Sequence, residues 1–188
     1  MKSIWKSLIQ PKIDYCSQLW SPGDQVSINK LESVQRHFTA KVNGMEGLDY
    51  WVRLKELQMY SQERRRERYI IIFLWKVTQG LVKGYSVNVS ESARRGRLVV
   101  PKPVVKSAPA KVRHAKEISL GVKGANLFNL LPSYLRDLNS NHVDTFKTNL
   151  DNFLSQIPDQ PTVGGQARAA LSNSLLHQIP MTLRQFTY

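Results

Sequence analysis

Arg64, Arg65, Arg66 and Arg68 fall within barely more than one helical turn, in the run Gln62-Glu63-Arg64-Arg65-Arg66-Glu67-Arg68. Residues four apart share one line of a helix surface, so Arg64 and Arg68 can reach successive anions along a chain. Planar guanidinium forks match phosphate oxygens. Glu63 and Glu67 offer partners within the helix, yet two acids cannot neutralise four arginines. Downstream, Arg94-Arg95-Gly96-Arg97 leads into Lys102, Lys106, Lys111, Arg113 and Lys116, a basic ribbon. The chemistry these groups offer is contact with phosphates. Arg64, Arg65, Arg68, Arg94, Arg95 and Arg97 are the leading candidates, and Lys102, Lys106 and Arg113 come next. The competing readings are a salt-laced exposed helix for the first group and a flexible charged linker for the second.

Catalytic constellations are not found. No Asp-Asp pair offers the clustered carboxylates of a two-metal site. There is no phosphate loop, no GxGxxG and no GxSxG elbow. His37, His114, His142 and His177 are far apart and lack cysteine partners or an HExxH spacing. Cys16, the only cysteine, excludes an internal disulfide framework and any multi-cysteine zinc site. Its place on an apolar helical face predicts a buried small hydrophobe. Trp5, Trp20, Trp51 and Trp75 fall on apolar faces or in apolar runs, so they are expected to pack in a core.

The elements that must position the cations are mainly helical. Ile4, Trp5, Leu8, Ile9, Ile13, Cys16 and Trp20 follow helical spacing over residues 2–20, with Pro11 expected to kink or split the helix. A second helix is predicted from Asp24 to Val42, with Ile28, Leu31, Val34, Phe38 and Val42 as its core stripe. Leu48–Met59 reads as a short third helix, with Tyr50, Trp51, Leu54 and Leu57 on one face. The fourth spans Gln62 to Gln79, with Ser61 as its cap and Gly80 just past its end. Its second half, Tyr69 to Trp75, is apolar all round and must be buried. One end is thus anchored while the other presents four arginines. Beyond it, Arg97–Val100 has the composition of a short strand, with Ile118–Val122 as the candidate partner in a hairpin. Pro132 suits the start of a helix. Val143, Phe146, Leu150, Phe153 and Leu154 mark an amphipathic helix, and Pro158, Pro161, Gly164 and Gly165 break the pattern after it. A marginal helix is expected near Ala167–Leu176.

The chain has 188 residues, 41% of them apolar, which is enough for a core and excludes wholesale disorder. No apolar run approaches the roughly 20 residues that cross a bilayer. Residues 1–20 lack the apolar run of a signal peptide. An intracellular, reducing setting is expected, nuclear or cytoplasmic, with no membrane partner and no small-molecule substrate. Lys+Arg number 27 against 14 Asp+Glu, a net charge of +13. Residues 61–84 carry six basic and two acidic groups, and residues 85–126 carry nine and two, so these stretches hold +11 of the +13. Localised charge of that size points to a polyanionic partner, RNA, DNA or an RNA–DNA duplex.

Several segments resemble one family. Lys6-Ser7-Leu8-Ile9-Gln10-Pro11-Lys12-Ile13-Asp14-Tyr15-Cys16-Ser17-Gln18-Leu19-Trp20-Ser21-Pro22 resembles the stretch just after the palm in reverse transcriptases of non-LTR (LINE-type, jockey-like) retrotransposons. Leu31–Thr39, Leu48–Leu57 and Glu63–Arg66 look like the stretches that follow there. Leu127-Phe128-Asn129-Leu130-Leu131-Pro132 resembles the family's aromatic-Asn-x-Leu-Pro, with Phe128 where tryptophan is usual. Phe146-Lys147 through Phe153-Leu154 resembles its terminal helix. The similarity runs over residues 2–157 in the family's order. It implies a thumb-like helical bundle and the segment beyond it, gripping a template–primer duplex through its backbone. The palm of an RNA-directed DNA polymerase, with its aspartates and magnesium, is absent from these residues.

The expectation is therefore a mainly α chain without catalytic residues, metal or cofactor of its own. Residues 1–84 form the thumb-like bundle and 85–126 a basic extended arm with one short β-hairpin. Residues 127–157 add C-terminal helices, and 158–188 are a flexible tail. The alternative reading is a docking module in which Phe128, Leu131, Val143 and Phe146 face a palm domain or a second copy.

Overall fold

The computed structural model describes residues 2–88, 96–103, 105–136, 142–161 and 172–185. Helices dominate, and no strand longer than a single bridge at Leu98 occurs among the described residues. The chain forms two compact units, Met1–Arg66 with Asp159–Ser174, and Glu67–Pro158 with Leu175–Tyr188.

In the first unit, helical turns cover Lys2–Ile4, Trp5–Ile9 and Gln10–Asp14, the middle one a π-helix. Gln10 N–H donates to the Trp5 carbonyl, five residues back. This wider turn relieves the clash that Pro11 would otherwise make with the carbonyl four residues earlier. The helix therefore runs through the proline. It breaks at Cys16, which adopts φ 51° and is exposed, so the expected buried thiol is corrected. Ser17 is buried beside it instead.

Helix Gln25–Thr39 begins at Asp24, whose carboxylate accepts from Ser27 N–H at 2.8 Å. Its core side differs from the apolar stripe expected. Glu32, Gln35 and Thr39 are buried while Val34 is 46% exposed. Helix Tyr50–Glu56 starts at the Asp49 cap, and Tyr50, Leu54 and Leu57 are buried as their spacing predicts. Trp5 is buried against Phe38, ring centroids 4.8 Å apart.

Helix Gln62–Thr78 contributes its first residues to this unit and the rest to the second. Ser61 Oγ accepts from Arg64 N–H at 3.1 Å, the expected cap. Gly80 takes φ +69°, the left-handed value that ends a helix. In the second unit Ile70, Ile71, Ile72, Leu74 and Trp75 are buried, as an all-apolar run requires. Trp75 stacks on Phe146 of helix Val143–Leu154 at 4.8 Å and 12°. Helix Leu120–Leu130 packs so closely that a Cβ on Gly124 would come within 2.7 Å of Leu74 Cδ1.

Three expectations beyond residue 85 are corrected. Ile118–Val122 cannot be a hairpin partner, because Ile118 ends helix Ala110–Glu117 and Leu120 opens the next. Much of the expected extended arm is thus helical, since only residues 97–109 carry the prolines that forbid it. The expected tail holds helix Leu175–Gln185, with Pro180 inside it. Most of the marginal helix near Ala167–Leu176 lies outside the described residues. Of the residues in the docking reading, Phe128, Leu131 and Phe146 are buried and Val143 is half-buried.

Candidate nucleic-acid interface

Most of the arginine run is turned from solvent, and only Arg65 keeps a side chain 31% exposed. Arg64 is fully buried, with Nε 3.9 Å from Asp159 Oδ1. Arg65 Nε donates to Asp14 Oδ2 at 2.9 Å. Arg68 forms a two-bond fork on Asp151, Nε to Oδ1 at 2.5 Å and Nη2 to Oδ2 at 2.7 Å. Arg66 is 3% exposed, donates from Nη2 to the Ile13 carbonyl, and lies 4.0 Å over the Trp20 ring. Burial pulls its pKa below the usual arginine value, and Asp14 and Glu32 partly offset that. The exposed four-arginine helix end expected from the sequence is therefore corrected. Glu63 and Glu67 were the local partners expected, but the acids named here come from distant positions. Glu63 accepts from Ser172 Oγ and Asn173 N–H, and Glu67 pairs with Lys123 at 3.0 Å.

The helix start is itself a polar interior. Tyr50 Oη donates to Glu32 Oε1, and Gln62 N–H donates to Glu32 Oε2 at 2.9 Å. Asp159 accepts from Ser61 N–H at 2.8 Å and from Ser61 Oγ at 2.7 Å. Two carboxylates thus satisfy the N–H groups that a helix start leaves open, where the helix dipole also favours negative charge. Burial raises the Glu32 pKa above its ordinary value, while the Tyr50 and Gln62 bonds hold it back. Burial and the neighbouring Glu32 likewise push the Tyr50 phenol up. Gln62 Nε2 donates to Gln35 Oε1, and Gln35 Nε2 donates to the Tyr60 carbonyl. Glu32, Gln35 and Thr39 recur at helical spacing outside the expected apolar stripe. The missed signal is a polar stripe facing a helix N-terminus.

The downstream ribbon behaves differently. Arg97, Lys102, Lys106, Lys111 and Arg113 are exposed, and no ion pair among the described residues involves them. Lys111, Arg113 and Lys116 sit on helix Ala110–Glu117, which buries no residue. Residues 97–117 carry six cations and one acid, Glu117, a net +5. Arg97 is positioned through its neighbour. Asn129 Oδ1 accepts from Leu98 N–H at 2.8 Å, and Asn129 Nδ2 donates to the Leu98 carbonyl at 2.9 Å. Leu98 is 3% exposed, so the chain there is pinned to helix Leu120–Leu130. Arg94 and Arg95 lie outside the described residues.

Among the described residues no group of three His, Cys, Asp or Glu is placed to hold a metal ion, and no helix is long and apolar enough to cross a membrane. Comparison with protein-family models, curated proteins and solved structures finds no significant match.

Proposed function

We propose that the chain corresponds to the thumb and post-thumb part of a non-LTR retrotransposon RNA-directed DNA polymerase, and that it grips template–primer nucleic acid through phosphates. The basic ribbon supplies the grip, and the arginine helix supplies the scaffold. One observation carries this. Lys102, Lys106, Lys111 and Arg113 are exposed and have no partner acid among the described residues, whereas Arg64, Arg65 and Arg68 of the long helix each face a carboxylate and Arg66 is buried over Trp20. Cations that are already desolvated and paired gain little from a phosphate. Exposed ones release counterions when they meet one.

The test is titration of an RNA–DNA duplex across about 50 to 200 mM salt. Replacing Lys102, Lys106, Lys111 and Arg113 together by Ala should flatten the slope of log K against log salt by roughly 3 to 4. It should weaken binding alike on unrelated sequences. An unchanged slope refutes the ribbon as the contact.

A second reading is a docking module that completes a palm domain. The residues that favour it are Ile4, Leu8, Tyr15 and Leu19, which are 52%, 61%, 76% and 80% exposed. Leu8→Asp with Leu19→Asp should abolish co-purification with a palm domain supplied in trans. Retention of that complex refutes this reading.

A further inference from the structure

We infer that the cleft beside Arg97 accepts one unpaired nucleotide, an inference that rests on the nucleic-acid reading and narrows it. The cleft measures about 380 Å³ and is lined by Arg97, Asn126, Asn129, Leu130 and Leu176. That volume falls at the lower end of ligand pockets, roughly 300 to 1,000 Å³.

The lining divides by role. Asn126, Asn129 and Leu130 stand at i, i+3 and i+4 on helix Leu120–Leu130, so they share one face. Asn129 has spent its carboxamide in both directions on the Leu98 backbone. The Asn126 side chain forms no hydrogen bond among the described residues, so its carboxamide offers one acceptor and two donors to an occupant. Arg97 adds a guanidinium at the rim, on backbone next to the pinned Leu98. Leu130 and Leu176 supply an apolar wall.

An occupant must therefore be flat or apolar on one side, carry a donor beside an acceptor on its edge, and bear an anion. A nucleotide has all three. A carboxamide matches the paired donor and acceptor on an adenine edge, and bases that leave a helix are held by edge hydrogen bonds and a packed face. In sequence, Lys102 and the rest of the ribbon follow Arg97, so the rim of the cleft belongs to the basic stretch. A peptide with a free C-terminal carboxylate would also meet Arg97 and pair its backbone with the Asn126 carboxamide, so competition between such a peptide and AMP tells the two occupants apart.

The experiment compares two RNA–DNA duplexes with the full chain, one blunt and one with a single-stranded extension containing 2-aminopurine. The wild-type chain should bind the extended duplex more tightly, on the order of ten-fold, and should change the 2-aminopurine fluorescence. Asn126→Asp keeps the side-chain shape and places an anion beside Arg97. It should lose both effects while blunt-duplex affinity and thermal midpoint stay the same. Asn126→Leu provides the neutral check and should also lose the preference. Equal wild-type affinity for the two duplexes, or a preference that survives both substitutions, overturns the cleft and leaves the ribbon standing. Displacement of the extension by a peptide carboxylate at lower concentration than by AMP also overturns it. Failure to bind either duplex at low salt overturns the cleft and the nucleic-acid reading together.

Discussion

Arg68→Ala separates a structural arginine from a phosphate-binding one. The Arg68 side chain is 16% exposed and holds Asp151, 39% exposed, through two charge-assisted bonds at 2.5 and 2.7 Å. Breaking a fully buried pair costs about 3 to 5 kcal/mol, and an exposed one about 0 to 1. Asp151 can recover part of its hydration once Arg68 is gone, so the loss should lie between these, about 2 kcal/mol. In a chain of this length that corresponds to a fall in Tm of about 4 to 8 °C. The salt slope of duplex binding should stay as it was, because no phosphate contact is lost. Circular dichroism melts give the first quantity and fluorescence anisotropy against salt gives the second. The opposite pattern would refute the reasoning: an unchanged Tm with the slope flattened by about one would mean that Arg68 swings out to meet phosphate.

The polar interior gives the next expectations. Glu32→Ala leaves Tyr50 Oη and Gln62 N–H without their acceptor in a buried site and should cost about 2 to 4 kcal/mol, while Glu32→Gln, which keeps an acceptor and removes a buried charge, should cost about 1 or less, both read by urea denaturation at pH 7. The raised pKa of Glu32 contributes stability that is fully present below its ordinary value of 4.5 and is lost as pH rises through the folded value; the wild type should therefore gain on Glu32→Gln as pH falls toward 4.5, and a parallel pair of profiles would count against a buried charge. Gly124→Ala gains about 1 kcal/mol of helix propensity but drives a Cβ to 2.7 Å from Cδ1 of the fully buried Leu74, which must shift within the core; overpacking of about 1 to 3 kcal/mol should win, and a raised Tm would contradict the close packing. Asn129→Leu removes both bonds to Leu98 and should speed amide exchange at Leu98 well beyond that at Leu127, a contrast that hydrogen exchange reads directly.

What the sequence made legible was whatever local spacing decides. The all-apolar run Tyr69 to Trp75 had to be buried, Ser61 and Gly80 had to mark the ends of its helix, and Phe146, Leu150 and Phe153 had to face inward. These signals need only near neighbours. The fate of the arginines did not follow from near neighbours. Asp14, Asp151 and Asp159 lie about 50 to 95 residues from the arginines they meet, so counting only Glu63 and Glu67 left an apparent surplus. The same limit hid the role of Glu32. A stripe search that scores apolar residues passes over a helix whose buried face is Glu32, Gln35 and Thr39, because the reason for burying them is the open N–H groups of another helix. Pro11 acts through winding: a single π turn precedes it and lets helical structure continue past the proline.

This pairing sharpens the charge argument. The chain has only 14 acids, and Asp14, Asp151 and Asp159 are committed to the arginine run while Glu67 is committed to Lys123. Each acid spent inside removes one that could have screened the surface. The net charge of +13 is thereby left to cations elsewhere, and residues 97–117 hold +5 of it with a single acid. Their mutual repulsion persists in the free chain at low salt and falls when a polyanion is bound. Raising salt alone should therefore stabilise the free chain slightly while it weakens duplex binding steeply. Melts of the free chain and anisotropy on the duplex, run over the same salt series, should slope in opposite directions. Two curves falling together would mean that the internal pairs, which salt weakens, outweigh the exposed ribbon.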